Sequence, residues 1–177
     1  MQGRLVAEQT GAGKVDFHPD LKEAASDPLI RSQMLNQEQL FQSRRSALRA
    51  DLQVIEEGVQ GQQALLQAYE GMAASRRGQL ALLQDELKHT RELVKEGYTP
   101  RNRQLELERA QAENQTAIIE TQGNIMRARH SIAEFRQRAM ARQQEYRKEV
   151  ETQLADVARE VQSDAEKLVA VTADLER

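Results

Sequence analysis

The sequence predicts an all-α fold: a long antiparallel two-helix coiled-coil hairpin, preceded by a short helix and an irregular connection. Three observations predict it. Only 3% of the 177 residues are aromatic while 30% are charged, which is poor material for a globular core, and good helix formers fill most of the rest. Apolar residues recur in alternating steps of three and four, the period of a coiled-coil seam. The pattern breaks once near the middle, at LVKEGYTPRN, residues 93–102, where a glycine and a proline stand three positions apart.

Taken in order, residues 1–11 read as the end of a first short helix. Gly11 and Gly13 are both suited to the left-handed conformation that closes helices. Residues 12–27 read as a connecting loop, with room for one helical turn around Leu21 to Ala25. Asp27 then offers an N-cap and Pro28 a first helical position, where the missing N–H is no loss. This opens the first hairpin arm, residues 28–96, which contains no further proline.

The seam of that arm runs Phe41, Arg45, Leu48, Leu52, Ile55, Val59, Gln62, Leu66, Tyr69, Ala73, Arg76, Leu80, Leu83, Leu87, Thr90 and Val94, and 12 of these 16 positions are apolar. Gly58, Gly61, Gly71 and Gly78 each cost about 1 kcal/mol relative to alanine inside a helix, so the arm needs a partner for support. Gly97 can close this arm in the left-handed conformation, with Lys95 favourable at the negative end of the helix dipole. Thr99 can cap the next helix with Pro100 at its first position. Residues 97–99 are then a tip turn, and so short a link forces antiparallel neighbours.

The second arm, residues 100–177, places Ile118, Ile125, Ile132, Phe135, Ala139, Tyr146, Val150, Leu154, Val157, Val161, Leu168, Val171 and Leu175 on its seam. Successive four-residue steps from Tyr146 to Leu154 break the strict heptad. The arms are 69 and 78 residues long, about 100 to 115 Å at 1.5 Å per residue.

Composition also narrows function. A net charge of -3 with interleaved signs gives no electrostatic drive toward nucleic acid, and none is expected as a partner. Cysteine is absent, which removes disulfides and thiolate chemistry. No apolar run approaches the roughly 20 residues of a membrane-spanning helix. His18, His89 and His130 are far apart and do not form a metal-ligand spacing. Two packed helices offer no water-excluding pocket, so no enzymatic activity and no cofactor are expected. The turn region stands apart. From Lys88 to Arg103 five cations (Lys88, Arg91, Lys95, Arg101, Arg103) face two acids (Glu92, Glu96), and Tyr98 lies where no partner helix covers it.

The segments FHPDL, QEQLFQSRRSAL and LVKEGYTPRNRQLELER, in that order and spacing, resemble the central helical region of the HlyD-type membrane fusion proteins. These are periplasmic adaptors of Gram-negative type I secretion systems, and the likeness is greatest to the protease and lipase exporter branch. The resemblance implies a periplasmic hairpin in a full-length protein anchored in the inner membrane by an N-terminal helix that this chain lacks. It implies an inner-membrane ABC transporter as one partner, reached through parts outside this chain, and a TolC-like outer-membrane channel as the other. Copies of the chain would assemble as a ring, commonly a hexamer, through which exported polypeptide passes. Related adaptors carry an Arg, Leu, Ser pattern at the tip. Here Leu93 fills the Leu place, while His89 stands at the Arg place and Pro100 at the Ser place. Arg91 and Thr99 are near enough to supply a cation and a hydroxyl. The channel-docking tip implied is therefore His89, Arg91, Leu93, Gly97, Tyr98, Thr99, Pro100 and Arg101. The alternative is a structural coiled-coil rod or scaffold without a docking tip.

Overall fold

The computed structural model describes residues 1–175. Their order is α1 (Gln2–Thr10), α2 (Pro19–Glu23), a 3-10 turn (Ala24–Ser26), α3 (Pro28–Lys95) and α4 (Arg101–Leu175). No strand occurs among the described residues. α3 and α4 pack against each other as the two arms of a hairpin. The chain divides into two compact units, Ile55–Gln137 and a second one made of Met1–Val54 with the part of α4 from Arg138 on. The expected seam residue Leu175 has its side chain outside the described residues, as do Glu176 and Arg177 at the end of the second arm.

The start of α3 follows from its first residues. The Asp27 carboxylate accepts the Leu29 backbone N–H at 2.8 Å, and the Asp27 carbonyl accepts the first helical bond, from Arg31, at 3.0 Å. The end of α3 follows from Gly97, whose φ of 83° is in the left-handed region. There the Tyr98 N–H reaches the Leu93 carbonyl at 2.9 Å and the Gly97 N–H reaches the Val94 carbonyl at 3.1 Å. These two bonds satisfy the last carbonyls of the helix as a Schellman motif does. α1 closes in the same manner on Gly11, φ 71°, while Gly13 keeps an ordinary conformation. α4 begins at Arg101, one residue beyond the start that Pro100 suggested, a difference within the ordinary fraying of helix ends.

In the unit Ile55–Gln137, α3 and α4 bury an alternating row each. From Ile55 to Val94 all 12 expected α3 seam positions are buried or half-buried, as are the four from Phe41 to Leu52 in the other unit. The α4 row here is Gln104, Leu107, Gln111, Asn114, Ile118, Thr121, Ile125, Ala128, Ile132 and Phe135, all buried or half-buried. Steps of three and four separate them throughout. Gln104, Leu107, Gln111, Asn114, Thr121 and Ala128 were not among the expected seam residues; for the four polar ones the reason is that a polar residue at a seam position is indistinguishable in sequence from one facing water. Thr121 returns its hydroxyl to the Ala117 carbonyl at 2.8 Å, and the Asn114 amide reaches Gln79 at 3.5 Å. Gly58 has a packing reason. A Cβ there would sit 2.7 Å from the Phe135 ring, so the ring occupies the space that the missing side chain leaves.

The other unit adds α1 as a third helix. Leu5 packs with Val150, Val157, Tyr146 and Leu154, and Ala7 with Val15, Phe41, Ala12 and Phe17. The four-residue steps from Tyr146 to Leu154 now have a physical meaning: they widen the buried face of α4 so that it meets two helices instead of one. Charge joins the same three helices. Arg4, 2% exposed, pairs with Glu8. The other Glu8 oxygen accepts from Arg44 at 3.1 Å, and Arg44 continues to Glu149 at 3.2 Å while lying 5.3 Å over the Tyr146 ring. Burial opposes the charge on Arg44, but the Glu8 carboxylate outweighs it and holds the guanidinium pKa above its usual value. Burial, with Glu8 adding to it, pushes the Tyr146 phenol up.

The expected seam does not extend to the end of α4. Val161, Leu168 and Val171 are 54%, 71% and 59% exposed. The opening turns of α3 instead direct Ile30 and Met34 into a cleft shared with Met1, Phe17 and Leu21. An apolar period in sequence states that a face exists, not that something covers it.

Two substitutions test the packing. Gly58→Ala should lower the thermal midpoint of the chain, because the Phe135 ring must move, although alanine is the better helix former. Gly78→Ala, where an added Cβ meets nothing within 4 Å, should raise stability by about 0.5 to 1 kcal/mol. Thermal unfolding followed by circular dichroism separates the two signs. At the turn, Gly97→Asn should retain more stability than Gly97→Val, because a β-branched side chain resists the left-handed region. Equal midpoints for those two variants would show that the turn does not depend on its backbone conformation.

Candidate docking tip

The tip is built from the last two turns of α3, the short link and the first two turns of α4. Its side chains fall on two flanks. On one, Arg91 reaches Glu108 at 3.0 Å, and Gln104 donates to the same carboxylate at 3.1 Å. The Gln104 bond first and the Arg91 bond second hold the Glu108 carboxyl below its usual pKa, with Arg101 contributing at longer range. On the other flank, Arg103 pairs with Glu86 at 2.6 Å and with Glu106 at 3.4 Å. Glu86 and Leu93 are seven residues apart on α3, so two helical turns place them on the same face.

Each expected docking residue can now be placed. His89 is exposed, with its ring 3.7 Å from the Asp85 carboxylate one turn earlier. Leu93 is 43% exposed and four residues on from His89, so the two lie one above the other on the face that also carries Glu86. Tyr98 is 78% exposed. Gly97, Pro100 and Arg101 are exposed and Thr99 is half-buried. Arg91 is on the opposite flank from Leu93, tied to Glu108, so the structure does not bring these two together on one surface. Arg103, counted among the tip cations but not among the docking residues, is the guanidinium on the Leu93 side. The heptad spacing from Glu86 to Leu93 was the signal that could have found it.

Chemically the tip offers an exposed aromatic in the turn and an exposed leucine on the flank of the Glu86 to Arg103 pair. Among the described residues no cluster of histidine and carboxylate groups is arranged to hold a metal ion. No described helix is long and apolar enough to cross a membrane.

Comparison with known proteins accounts for this architecture. Residues 1–174 match the family described as "AprE, long alpha-helical hairpin". The alkaline protease secretion protein AprE of Pseudomonas aeruginosa is 36% identical over 155 residues, covering 88% of this chain and 36% of that protein. The proteases secretion protein PrtE of Dickeya chrysanthemi is 32% identical over 156 residues, covering 88% of this chain and 35% of that protein. The chain thus spans about a third of the length of these curated relatives. The crystal structure of the soluble domain of LipC, a membrane fusion protein of a type I secretion system, superposes with a TM-score of 0.92 at 32% identity, over 99% of this chain and 83% of that one. These relatives are secretion proteins and not enzymes, and they bear out the resemblance to the protease and lipase branch of the membrane fusion proteins. By its fold, its turn and its match over residues 1–174, the chain belongs to the AprE long alpha-helical hairpin family.

Proposed function

We propose that this chain is the hairpin of a periplasmic adaptor, joining an inner-membrane ABC transporter to a TolC-like outer-membrane channel for one-step export of a protein such as a protease or lipase. The observation that carries the reading is the continuous match of the hairpin to secretion adaptors, from α1 through the tip to the end of α4. The transporter is engaged through parts outside this chain. Copies of the full-length protein, anchored in the inner membrane by an N-terminal helix, surround the exported polypeptide as a ring, a hexamer in this reading.

The work of the hairpin is mechanical. Helices of 68 and 75 residues stiffen one another through their shared seam, and the tip selects the channel. Tyr98 and Leu93 supply the apolar contact, and His89 and Arg101 flank it. Thr99 and Pro100 hold the short link, and Gly97 allows α3 to stop where it does. Arg91 acts through its pair with Glu108, which fixes the first turns of α4 against α3. Rim charges of this kind set the rate and specificity of encounter more than its strength.

Leu93→Asp in the full-length protein should abolish export while leaving helicity intact, and Arg91 and Arg101 changed together to Glu should do the same. Secreted protein in the culture medium and circular dichroism of the purified chain are the two measurements. Normal export by both variants would end the docking reading. A photo-crosslinking residue in place of Tyr98 should capture an outer-membrane channel subunit in the same cells. Capture of the channel from a mid-arm position such as Gln67 and not from Tyr98 would move the contact away from the tip and leave a rod.

A further inference from the structure

Two cross-helix contacts within the unit Ile55–Gln137 share one register of α3 against α4: the Asn114 amide with Gln79 at 3.5 Å, and the Phe135 ring beside Gly58. In that register Leu83 is level with Gln111, Leu80 with Asn114, Arg76 with Ile118 and Ala73 with Thr121. Each of these four successive layers of the seam holds one polar side chain, and none joins two apolar ones. The layers on either side are apolar, with Leu87 level with Leu107 toward the turn and Tyr69 level with Ile125 away from it.

A polar residue at a seam position fixes register at the expense of stability. Here the expense is concentrated. Asn114 is 8% exposed and its Oδ1 has no hydrogen-bond partner. Arg76 brings a guanidinium to a half-buried position, and the layer of Ala73 and Thr121 joins two short side chains that remove little apolar area from water. Among the described residues no ion pair joins the two helices along this stretch. The pair of Glu70 with Arg129 stands on one side of it, and the pairs Glu86 with Arg103 and Arg91 with Glu108 stand on the other.

Both backbones are weakened at the same level. On α3, Gly71 and Gly78 stand with Ser75 between them, and a Cβ at either glycine would meet nothing within 4 Å. Packing inside the unit therefore gives no reason for them, although each weakens the helix by about 1 kcal/mol relative to alanine. Glycine and serine together are a common seat of helix bending. On α4, Thr116 and Thr121 return their hydroxyls to the Ala112 and Ala117 carbonyls at 3.0 and 2.8 Å, a bond that slightly destabilises a helix and often bends it. Weak layers in the seam, glycines on one helix and back-bonded threonines on the other thus coincide over about three helical turns.

We propose that residues 73–83 of α3 and 111–121 of α4 form a joint built into the hairpin, where the two helices part and bend before the layers on either side open. The turn and the layers next to it then move as one body on the rest of the unit. Register survives the opening, because the bond between Asn114 and Gln79 re-forms in one alignment only. The joint thus yields in angle without slipping along the seam. In the adaptor reading this lets the tip adjust its tilt to the channel. That use rests on the reading, whereas the joint itself does not.

Backbone amide hydrogen exchange of the whole chain, followed by mass spectrometry and corrected for intrinsic rates, reads such local opening directly. Amides of residues 73–83 and 111–121 should exchange about tenfold faster than those of 55–69 and 125–137, and faster than those of the turns that carry Leu87 and Leu107. Gln111→Leu together with Asn114→Leu completes two apolar layers and should slow exchange in both stretches by about tenfold, leaving the flanking stretches unchanged. Gly71→Ala together with Gly78→Ala should slow the α3 stretch with the seam untouched, and circular dichroism checks that each variant remains helical. Protection that rises steadily from Gly97 along both arms would reduce the effect to fraying from the turn and overturn the joint. Uniform protection, or exchange indifferent to both double variants, would overturn it as well. Because no channel or transporter takes part, a negative result leaves the tip reading standing, and failure of the tip variants leaves the joint standing.

Discussion

Everything in this fold depends on the register of α3 against α4. Neither helix is built to stand alone: α3 carries four interior glycines, and isolated helices gain most of their stability from packing of an apolar face. Once the two rows interlock, each fully buried leucine or isoleucine contributes about 1.5 to 3 kcal/mol, and Leu87, Leu107, Ile118 and Ile132 together outweigh the glycine penalties. The register itself is fixed locally. The Schellman closure at Gly97 and the short link to Arg101 set where α4 can begin, and the Phe135 ring fills the space beside Gly58, so a side chain there would displace it.

The polar seam positions reinforce that register. Asn114 and Thr121 are 8% and 5% exposed, at the expense of the apolar contacts that leucines would make there. A slip of one heptad would carry Asn114 away from Gln79, which takes its amide N–H at 3.5 Å while its Oδ1 has no hydrogen-bond partner, so the slipped side chain would lose the bond it has, at about 1 kcal/mol. A buried amide of this kind discriminates between registers more than it adds stability. In a hairpin whose end is its working surface, a register error would displace every tip residue at once.

How much of this was legible in the sequence differed between the two helices for a physical reason. The α3 row could be followed through Arg45, Gln62, Arg76 and Thr90 because apolar residues on both sides kept the phase. On α4 the row passes through Gln104, Gln111, Asn114, Thr121 and Arg142, and a parallel apolar row runs beside it from Leu105 to Ala133, so apolar count alone does not tell which row is buried. Docking of α1 was not legible at all. Arg4 and Glu8 are spaced like any solvent-facing helix pair, and only the third helix makes them a buried junction with Arg44. At the tip, the turn and its exposed tyrosine were readable from Gly97 to Pro100, and the division of Arg91 and Leu93 between two flanks was available from the α3 phase, since Thr90 and Val94 stand on the seam with Arg91 to one side of it and Leu93 to the other.

That division bears on how such a tip keeps its shape. A cluster of like charges at the end of two helices would repel itself and open the last turns. Here Arg91 and Arg103 are each drawn to a carboxylate of the facing helix, one on each flank, at 3.0 and 2.6 Å. Exposed pairs of this sort add little stability singly. Placed on both sides of one seam, they oppose rotation of α4 about α3 in either direction, since turning toward one pair lengthens the other. The carboxylates Glu86 and Glu108 therefore orient the end of the hairpin, and the apolar side chains of Leu93 and Tyr98 remain outward because the seam between the flanks is already full.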